Sequence, residues 1–385
     1  MERLSADLRS RVAAVGVTGQ MHGLLLLDGT GAPVSNLVTW QDGRCLETPA
    51  FLERLRTRTG HALRTGYGCA TLAWMTEQRT LPDAVAAACT LPDWMVALLS
   101  GHVRPRTDAT LAASWALFDL AARDWDRRAV EAAAIPADLL PDIQQTGSEA
   151  GRLAPELARR LGLPAAIPVA AALGDNQASL FATLRDPEQE LALTLGTGGQ
   201  LSAVFPRGAP RCPVSDRIEC RPYPDGRYAL VAAALNGGAA WNWLAESAAA
   251  WLRDLGAPVP DPAAIFTRLN ELGLAAVSES AVTPLFAGER WDPAQRGRIE
   301  GLESGGLALG PLARGVARGI LTNLRDMLPA DALAGRVRLM GSGNALRQNA
   351  LLRHMAEETF QLPLVMPEAR EEAAVGAAML AARLL

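Results

Sequence analysis

The sequence predicts an open α/β protein, on three observations. A strand-like run at 167–173 delivers Gly174-Asp175 to the start of a helix, so a carboxylate sits where a strand gives way to a helix. A second run, 190–205, reads as a hairpin with Gly196-Thr197-Gly198-Gly199 at its tip, a turn whose backbone N–H groups can approach an anion closely because no Cβ intervenes. Two further glycine turns, Gly237-Gly238 and Gly341-Ser342-Gly343-Asn344, also end strands, and both feed helices. Open α/β folds bind ligands at the carboxyl ends of their strands, and helix starts favour anions. A base and a phosphate cradle so close in sequence point to phosphoryl transfer onto a hydroxyl.

Composition narrows the field. The 385 residues are enough for two or three domains, and 49% hydrophobic with 20% charged residues is an ordinary globular composition. A net charge of −4 gives no reason to expect nucleic acid or an anionic membrane as partner. The chain has no lysine, so all 37 basic residues are arginine. That excludes a GxxxxGK[ST] phosphate loop, Schiff-base chemistry and a lysine nucleophile, and the glycine spacing does not fit GxGxxG. The five cysteines have no C-x-x-C pair or metal-like spacing with the four histidines, and are expected to be reduced thiols of a cytoplasmic protein. No apolar run approaches the roughly 20 residues that a membrane span needs.

In chain order, residues 2–10 read as the end of a helix, 11–18 as a buried strand and 24–27 as a strand closed by Asp28-Gly29. Residues 38–44 form a strand-end loop. There Trp40 offers a face to a sugar and Asp42 an acceptor for hydroxyls, or else Trp40 is core and Asp42-Gly43 a plain turn. From 47 to 134 the chain is mostly helical, including 111–122 and 126–134, with Trp74, Trp94 and Trp115 as core residues. A loop over 140–151 precedes a helix at 153–161, closed by Gly162. Asp175 is either the helix cap or a base, and Arg185-Asp186-Pro187 marks a lobe junction, dividing 1–186 from 187–385. Beyond the hairpin come a Pro-, Arg- and Cys-rich loop (206–224), a strand (227–235), a helix (239–250) and a loop (284–290). Then follow a long helix (312–327), a strand (336–340) and helices at 345–360 and 371–384.

Together these segments resemble the FGGY family of carbohydrate kinases over nearly the whole chain. The resemblance rests on GQMHG (19–23), TWQDGRC (39–45), TDATLAASWALFD (107–119), LGDNQAS (173–179), LTLGTGGQ (193–200), LNGG (235–238), GSGNALRQN (341–349) and EEAAVGAAMLAA (371–382). It implies the actin-like ATPase (ribonuclease H-like) fold, with two lobes around a cleft, and ATP-dependent phosphorylation of a sugar with Mg²⁺. The likeness extends to the branch that acts on sedoheptulose, the alternatives being a kinase of xylulose or another sugar or polyol, or an inactive sugar- or nucleotide-binding paralogue. By the same resemblance Asp175 would be the general base, and Met21, His22, Trp40 and Asp42 would line the sugar pocket. Gly196, Thr197 and Gly198 would hold phosphate oxygens, Gly237 and Gly238 would line the nucleotide cleft, and Gly341, Ser342 and Asn344 would contact the adenosine end. No protein residue is assigned to the metal. The expected partners are the small-molecule sugar and ATP, with a homodimer compatible and neither nucleic acid nor membrane involved. Relatives open the first lobe with a hairpin whose Asp-x-Gly-Thr turn helps hold Mg²⁺, and no such sequence precedes Gly19. The resemblance therefore implies a first lobe lacking its opening β-hairpin and a truncated N-terminus, with this polypeptide poorly stable and weakly active or inactive by itself.

Overall fold

The computed structural model describes residues 4–208, 215, 217–277, 280–289, 291–368 and 370–385. Much of the expected loop at 206–224, with Cys212, lies outside these residues, as do positions 2, 3 and 290.

Leu191, Leu193 and Leu195 alternate with Ala192 and Thr194, so both faces of this segment can be buried, and it folds as the central strand Glu190–Leu195. It pairs antiparallel with Gly199–Phe205, and the register Leu195↔Gly199 leaves residues 196–198 as the turn. The sheet has six strands in the order Ile218–Tyr223, Arg227–Ala234, Gly199–Phe205, Glu190–Leu195, Arg338–Ser342, Leu364–Val365. The last two run parallel to the central strand. An antiparallel hairpin extended on one side, with parallel strands on the other, is the ribonuclease H-like arrangement of actin-type ATPases.

One face, carrying Leu193, Leu195, Leu201 and Ala232, packs on the helices Gly238–Asp254 and Leu309–Met327. The other, carrying Ala192, Val204, Val231 and Met340, packs on Ala178, Phe181, Ala377 and Leu380, from the helices Asp175–Thr183 and Glu372–Ala382. These two helices touch so closely that a Cβ on Gly376 would lie 1.9 Å from the Ala178 carbonyl oxygen. The helix that carries Asp175 is thus packed against the sheet and the last helix of the second half.

In the first half, Thr18–Gly19 pairs parallel with Leu173–Gly174, and Val15 bridges Val169. That parallel pairing brings 19–23 and 174–177 to one edge, because both segments leave the carboxyl ends of neighbouring strands. Leu25–Leu27 pairs with Ala87–Cys89. The helix Leu91–Ser100 starts at a reciprocal capping box between Thr90 and Asp93.

Three expectations of secondary structure are corrected. The helix expected over 111–122 is Ala109–Ser114, because Ala116 and Leu117 adopt left-handed backbone (φ +66° and +50°) and the chain turns back into Phe118–Asp119. That reversal seats the Trp115 indole over Gly68, where a Cβ would lie 2.3 Å from the ring. The helix expected over 345–360 breaks at Asn349, whose side chain accepts the Leu352 N–H (2.8 Å) and starts Ala350–Phe360. Within the expected loop 206–224, Ile218–Tyr223 is an edge strand, and an edge tolerates Pro222, which has no N–H to donate. Trp115 is core as expected, with its indole N–H on the Gly23 carbonyl. Cys45, Cys69 and Cys89 are free and buried, whereas Cys220 is disulfide-bonded, contrary to the expectation of reduced thiols throughout. No helix among the described residues is long and apolar enough to cross a membrane.

Candidate active site

The three glycine turns meet. Gly238 and Ala239 donate their N–H groups to the carbonyls of Gly196 and Thr197 (both 2.8 Å), and Gly237 donates to Thr197 (3.2 Å). The helix Gly238–Asp254 has no side-chain cap, so the hairpin turn caps it with its own carbonyls. A Cβ on Gly237 would lie 2.3 Å from the Gly198 backbone, and one on Gly343, where φ is +88°, would lie 2.3 Å from the Leu195 carbonyl oxygen. Packing therefore requires glycine at both positions. The N–H groups of Gly237 and Gly238 are thus committed to the hairpin. By contrast, the N–H groups of Thr197 and Gly198 have no acceptor among the described residues, and Thr197 is exposed at the tip. Those two donors are the ones a phosphate could use. At the third turn the Ser342 hydroxyl is held by Thr194 (2.8 Å), Gly341 packs against Met366, and Asn344 is exposed at the start of the helix Asn344–Gln348.

Asp175 is tied to the hairpin through its neighbour. It is the first residue of its helix; Gly174 is the cap, and the carboxylate accepts only the neighbouring Asn176 N–H (2.8 Å, Oδ1). Asn176 in turn donates its side-chain amide to Gln200 of the hairpin (3.0 Å), joining the helix of the candidate base to the strand that leaves the glycine turn. Upstream, the Thr110 hydroxyl accepts the Gly174 N–H (2.9 Å) and donates to the buried Asp108 carboxylate (2.7 Å), which fixes where the helix begins. Burial pushes the Asp175 carboxyl above the usual carboxylate range, opposed by the Asn176 N–H and by the charge of Arg221.

A cavity of about 340 Å³ is lined by Met21, His22, Tyr67, Ser114, Glu219 and Arg221 among others; Asp175 does not line it, and is linked to it through the charge of Arg221. His22 sits at φ +72° with its Nδ1 2.6 Å from the Ser114 carbonyl oxygen, so that nitrogen is the donor. The His22 ring stacks on Tyr67 at 4.5 Å between centroids. A neighbouring cavity of about 620 Å³ shares His22 and Tyr67 and is walled by Trp40, which is 48% exposed. Met21, His22 and Trp40 are therefore brought together. Asp42 is not: its carboxylate is gripped by the Arg44 guanidinium (2.7 and 3.0 Å) and backbone N–H, and lines neither cavity.

Mg²⁺ seldom requires a cage of protein ligands; it is held through one or two carboxylates and the oxygens of phosphate. Among the described residues no group of three His, Cys, Asp or Glu side chains forms such a cage. Asp175, with one carboxylate oxygen not engaged by the protein, fits the lesser requirement.

Several residues here were missed from sequence. Glu219 and Arg221 lie in the stretch expected to be loop, although a Glu-x-Arg spacing places both side chains on one face of a strand. Glu289 is fully buried, accepts the Leu235 N–H (3.1 Å) and the Asn323 side-chain amide (3.2 Å), and so ties the LNGG turn to the long helix. Glu289→Ala leaves those donors buried and unpaired. It is expected to cost at least about 1–3 kcal/mol of stability, read as a lower urea midpoint, whereas an unchanged midpoint would contradict this role.

The comparisons with known proteins agree with this geometry. The chain matches the FGGY family of carbohydrate kinases, N-terminal domain, over residues 3–182 and the C-terminal domain over 191–385. It is 35% identical to the sedoheptulokinase of Homo sapiens over 98% of this chain and 82% of that protein. It is 30% identical to a glycerol kinase of Trichlorobacter lovleyi, over 96% and 75%. The solved xylulose kinase of Rhodospirillum rubrum superposes with a TM-score of 0.82 at 25% identity, over 97% of this chain and 75% of that one. With both family domains matched in order across a two-lobed, ribonuclease H-like fold, the chain belongs to the FGGY carbohydrate kinases, enzymes that transfer a phosphoryl group to a carbohydrate.

Proposed function

We propose that this chain uses ATP to phosphorylate the terminal hydroxyl of a ketose, converting sedoheptulose to sedoheptulose 7-phosphate, with its lobes divided at 186/187. The observation that carries the reading is the Asn176–Gln200 bond, which ties the helix of a half-buried carboxylate to the hairpin whose turn has two N–H donors to spare. The identity to a sedoheptulokinase favours the seven-carbon sugar.

In this reading Asp175 orients the hydroxyl and takes its proton as the bond to phosphorus forms. Thr197 and Gly198 hold the terminal phosphate through their N–H groups, and the Gly237-Gly238 turn holds the hairpin in place. The Gly341–Asn344 turn borders the adenosine end. His22 and Met21 line the sugar cavity, Trp40 gives the apolar face of the sugar a platform, and Asp42 acts through the loop that it braces with Arg44. Mg²⁺, when bound with the nucleotide, neutralises phosphate charge, a need made larger by the lack of lysine. Phosphoryl transfer is mostly positioning and charge stabilisation, and these residues are arranged to supply both.

The test is a coupled assay of ADP release over sedoheptulose, xylulose and glycerol, with the product identified by mass spectrometry. The highest kcat/KM is expected for sedoheptulose, phosphorylated at carbon 7. Faster turnover of xylulose would instead align the chain with its solved structural relative.

A further inference from the structure

We propose that Glu219 and Arg221, both from the second lobe, are the specificity-determining pair of the sugar site. Glu219 accepts hydroxyls of a neutral, hydroxyl-rich ketose, and Arg221 is the positioning residue that aims Glu219 and faces Asp175. This rests on the kinase reading above and adds to it a recognition element on the lobe otherwise concerned with nucleotide.

The strand Ile218–Tyr223 is the sheet edge nearest the first lobe, and its two charged side chains point into the cavity that holds Met21 and His22. The Arg221 side chain is only 10% exposed, and Glu219 grips it through one carboxylate oxygen (2.9 Å to Nε, 2.6 Å to Nη2). Burial alone would raise the Glu219 carboxyl, but the Arg221 charge outweighs it and holds the group at about 2, so it is ionised wherever the enzyme works. Among the described residues the other carboxylate oxygen receives only a long contact from the Tyr67 hydroxyl of the first lobe, 3.4 Å. It therefore keeps room for a further, shorter bond from a hydroxyl in the cavity. An ionised acceptor between an aromatic stack and a thioether suits a polyhydroxylated carbon chain, which presents donors and C–H surface together. Arg221 also lies within electrostatic reach of Asp175, so the guanidinium that holds Glu219 also favours the ionised form of the candidate base.

Binding across both lobes follows from this placement. A substrate hydroxyl on Glu219 and the reacting hydroxyl on Asp175 would link the edge strand of one lobe to the helix start of the other.

Glu219→Gln keeps size and one acceptor for Arg221 while removing the charge. The full-length variant is expected to raise the ketose KM by about tenfold to a hundredfold, leave the ATP KM unchanged, and shrink the preference for sedoheptulose over xylulose. Glu219→Asp should recover part of the preference, and Tyr67→Phe should act in the same direction but less. A sugar-induced thermal shift, measured alongside, reports binding without turnover and should fall with Glu219→Gln. An unchanged ketose KM and preference in a folded Glu219→Gln protein would overturn the proposal, and so would equal losses for ATP and ketose. If the wild-type chain neither releases ADP nor shows a thermal shift with any sugar, the kinase reading falls and this one with it. If the wild type works and Glu219→Gln matches it, only this one falls.

Discussion

Asp175→Asn should lower kcat by about 10²–10⁴-fold, the usual contribution of a positioned general base, while leaving the ketose KM and the melting temperature close to wild type. The structure makes this a clean substitution. Gly174 is the cap of the helix Asp175–Thr183, so Asp175 is not needed to cap it, and an asparagine oxygen can still accept the Asn176 N–H. What disappears is the ability to accept a proton. The same carboxyl sets the acid limb of the pH profile. Its pKa is raised by burial, and the base works only when deprotonated, so kcat should fall with decreasing pH through a value above the usual carboxylate range. Arg221→Gln removes a charge that favours the ionised form, so it should move that limb to still higher pH. Wild-type turnover by Asp175→Asn, or an acid limb unaffected by Arg221→Gln, would assign proton transfer elsewhere.

Gly237→Ala should be damaging and Gly196→Ala mild in stability, although both glycines lie in the same cluster of turns. At Gly237 the new methyl would meet the Gly198 carbonyl group at 2.3 Å and the Gly199 nitrogen at 2.8 Å, and backbone cannot swing aside as a flexible side chain can. Relief requires the hairpin turn to part from the helix Gly238–Asp254, breaking the bonds from Gly237, Gly238 and Ala239 to the turn carbonyls. Overpacking of this kind costs about 1–3 kcal/mol, and here it also displaces the Thr197 and Gly198 donors, so the ATP KM should rise as stability falls. A Cβ on Gly196 meets nothing within 4 Å. Gly196→Ala should therefore leave the denaturation midpoint nearly unchanged, and any rise in the ATP KM would mark that open space as the one phosphate occupies. Equal stability of the two variants would contradict the packing described here.

The parts of this fold that could be read from sequence are those where local pattern and tertiary burial agree. The hairpin 190–205 was readable because burial on both faces demands an unbroken apolar run, and Leu191 to Leu195 provides one. The glycine turns were readable because at Gly198, Gly237, Gly238 and Gly343 backbone approaches backbone and a Cβ leaves no room. The helix break after Ser114 was not, because the left-handed residues that make it are Ala116 and Leu117, held by the seating of Trp115 rather than by their own preferences. The edge strand Ile218–Tyr223 was hidden by Pro222 and by its charged and cysteine residues, and with it went Glu219 and Arg221. Glu289 gave no local signal at all, since its partners come from residues 235, 236 and 323 and only folding brings them together. For the candidate site, Met21, His22 and Trp40 do share connected cavities, whereas Asp42 turned out to spend its charge on Arg44 two residues away.

The most direct measurement is a crystal structure of the chain with a non-hydrolysable ATP analogue and sedoheptulose bound together. The expected result is the Asp175 carboxylate within about 2.6–3.2 Å of the sugar's terminal hydroxyl, and the terminal phosphate on the N–H groups of Thr197 and Gly198. A terminal phosphate bound away from the 196–198 turn, or an Asp175 side chain turned from the sugar and engaged only with Asn176, would contradict it.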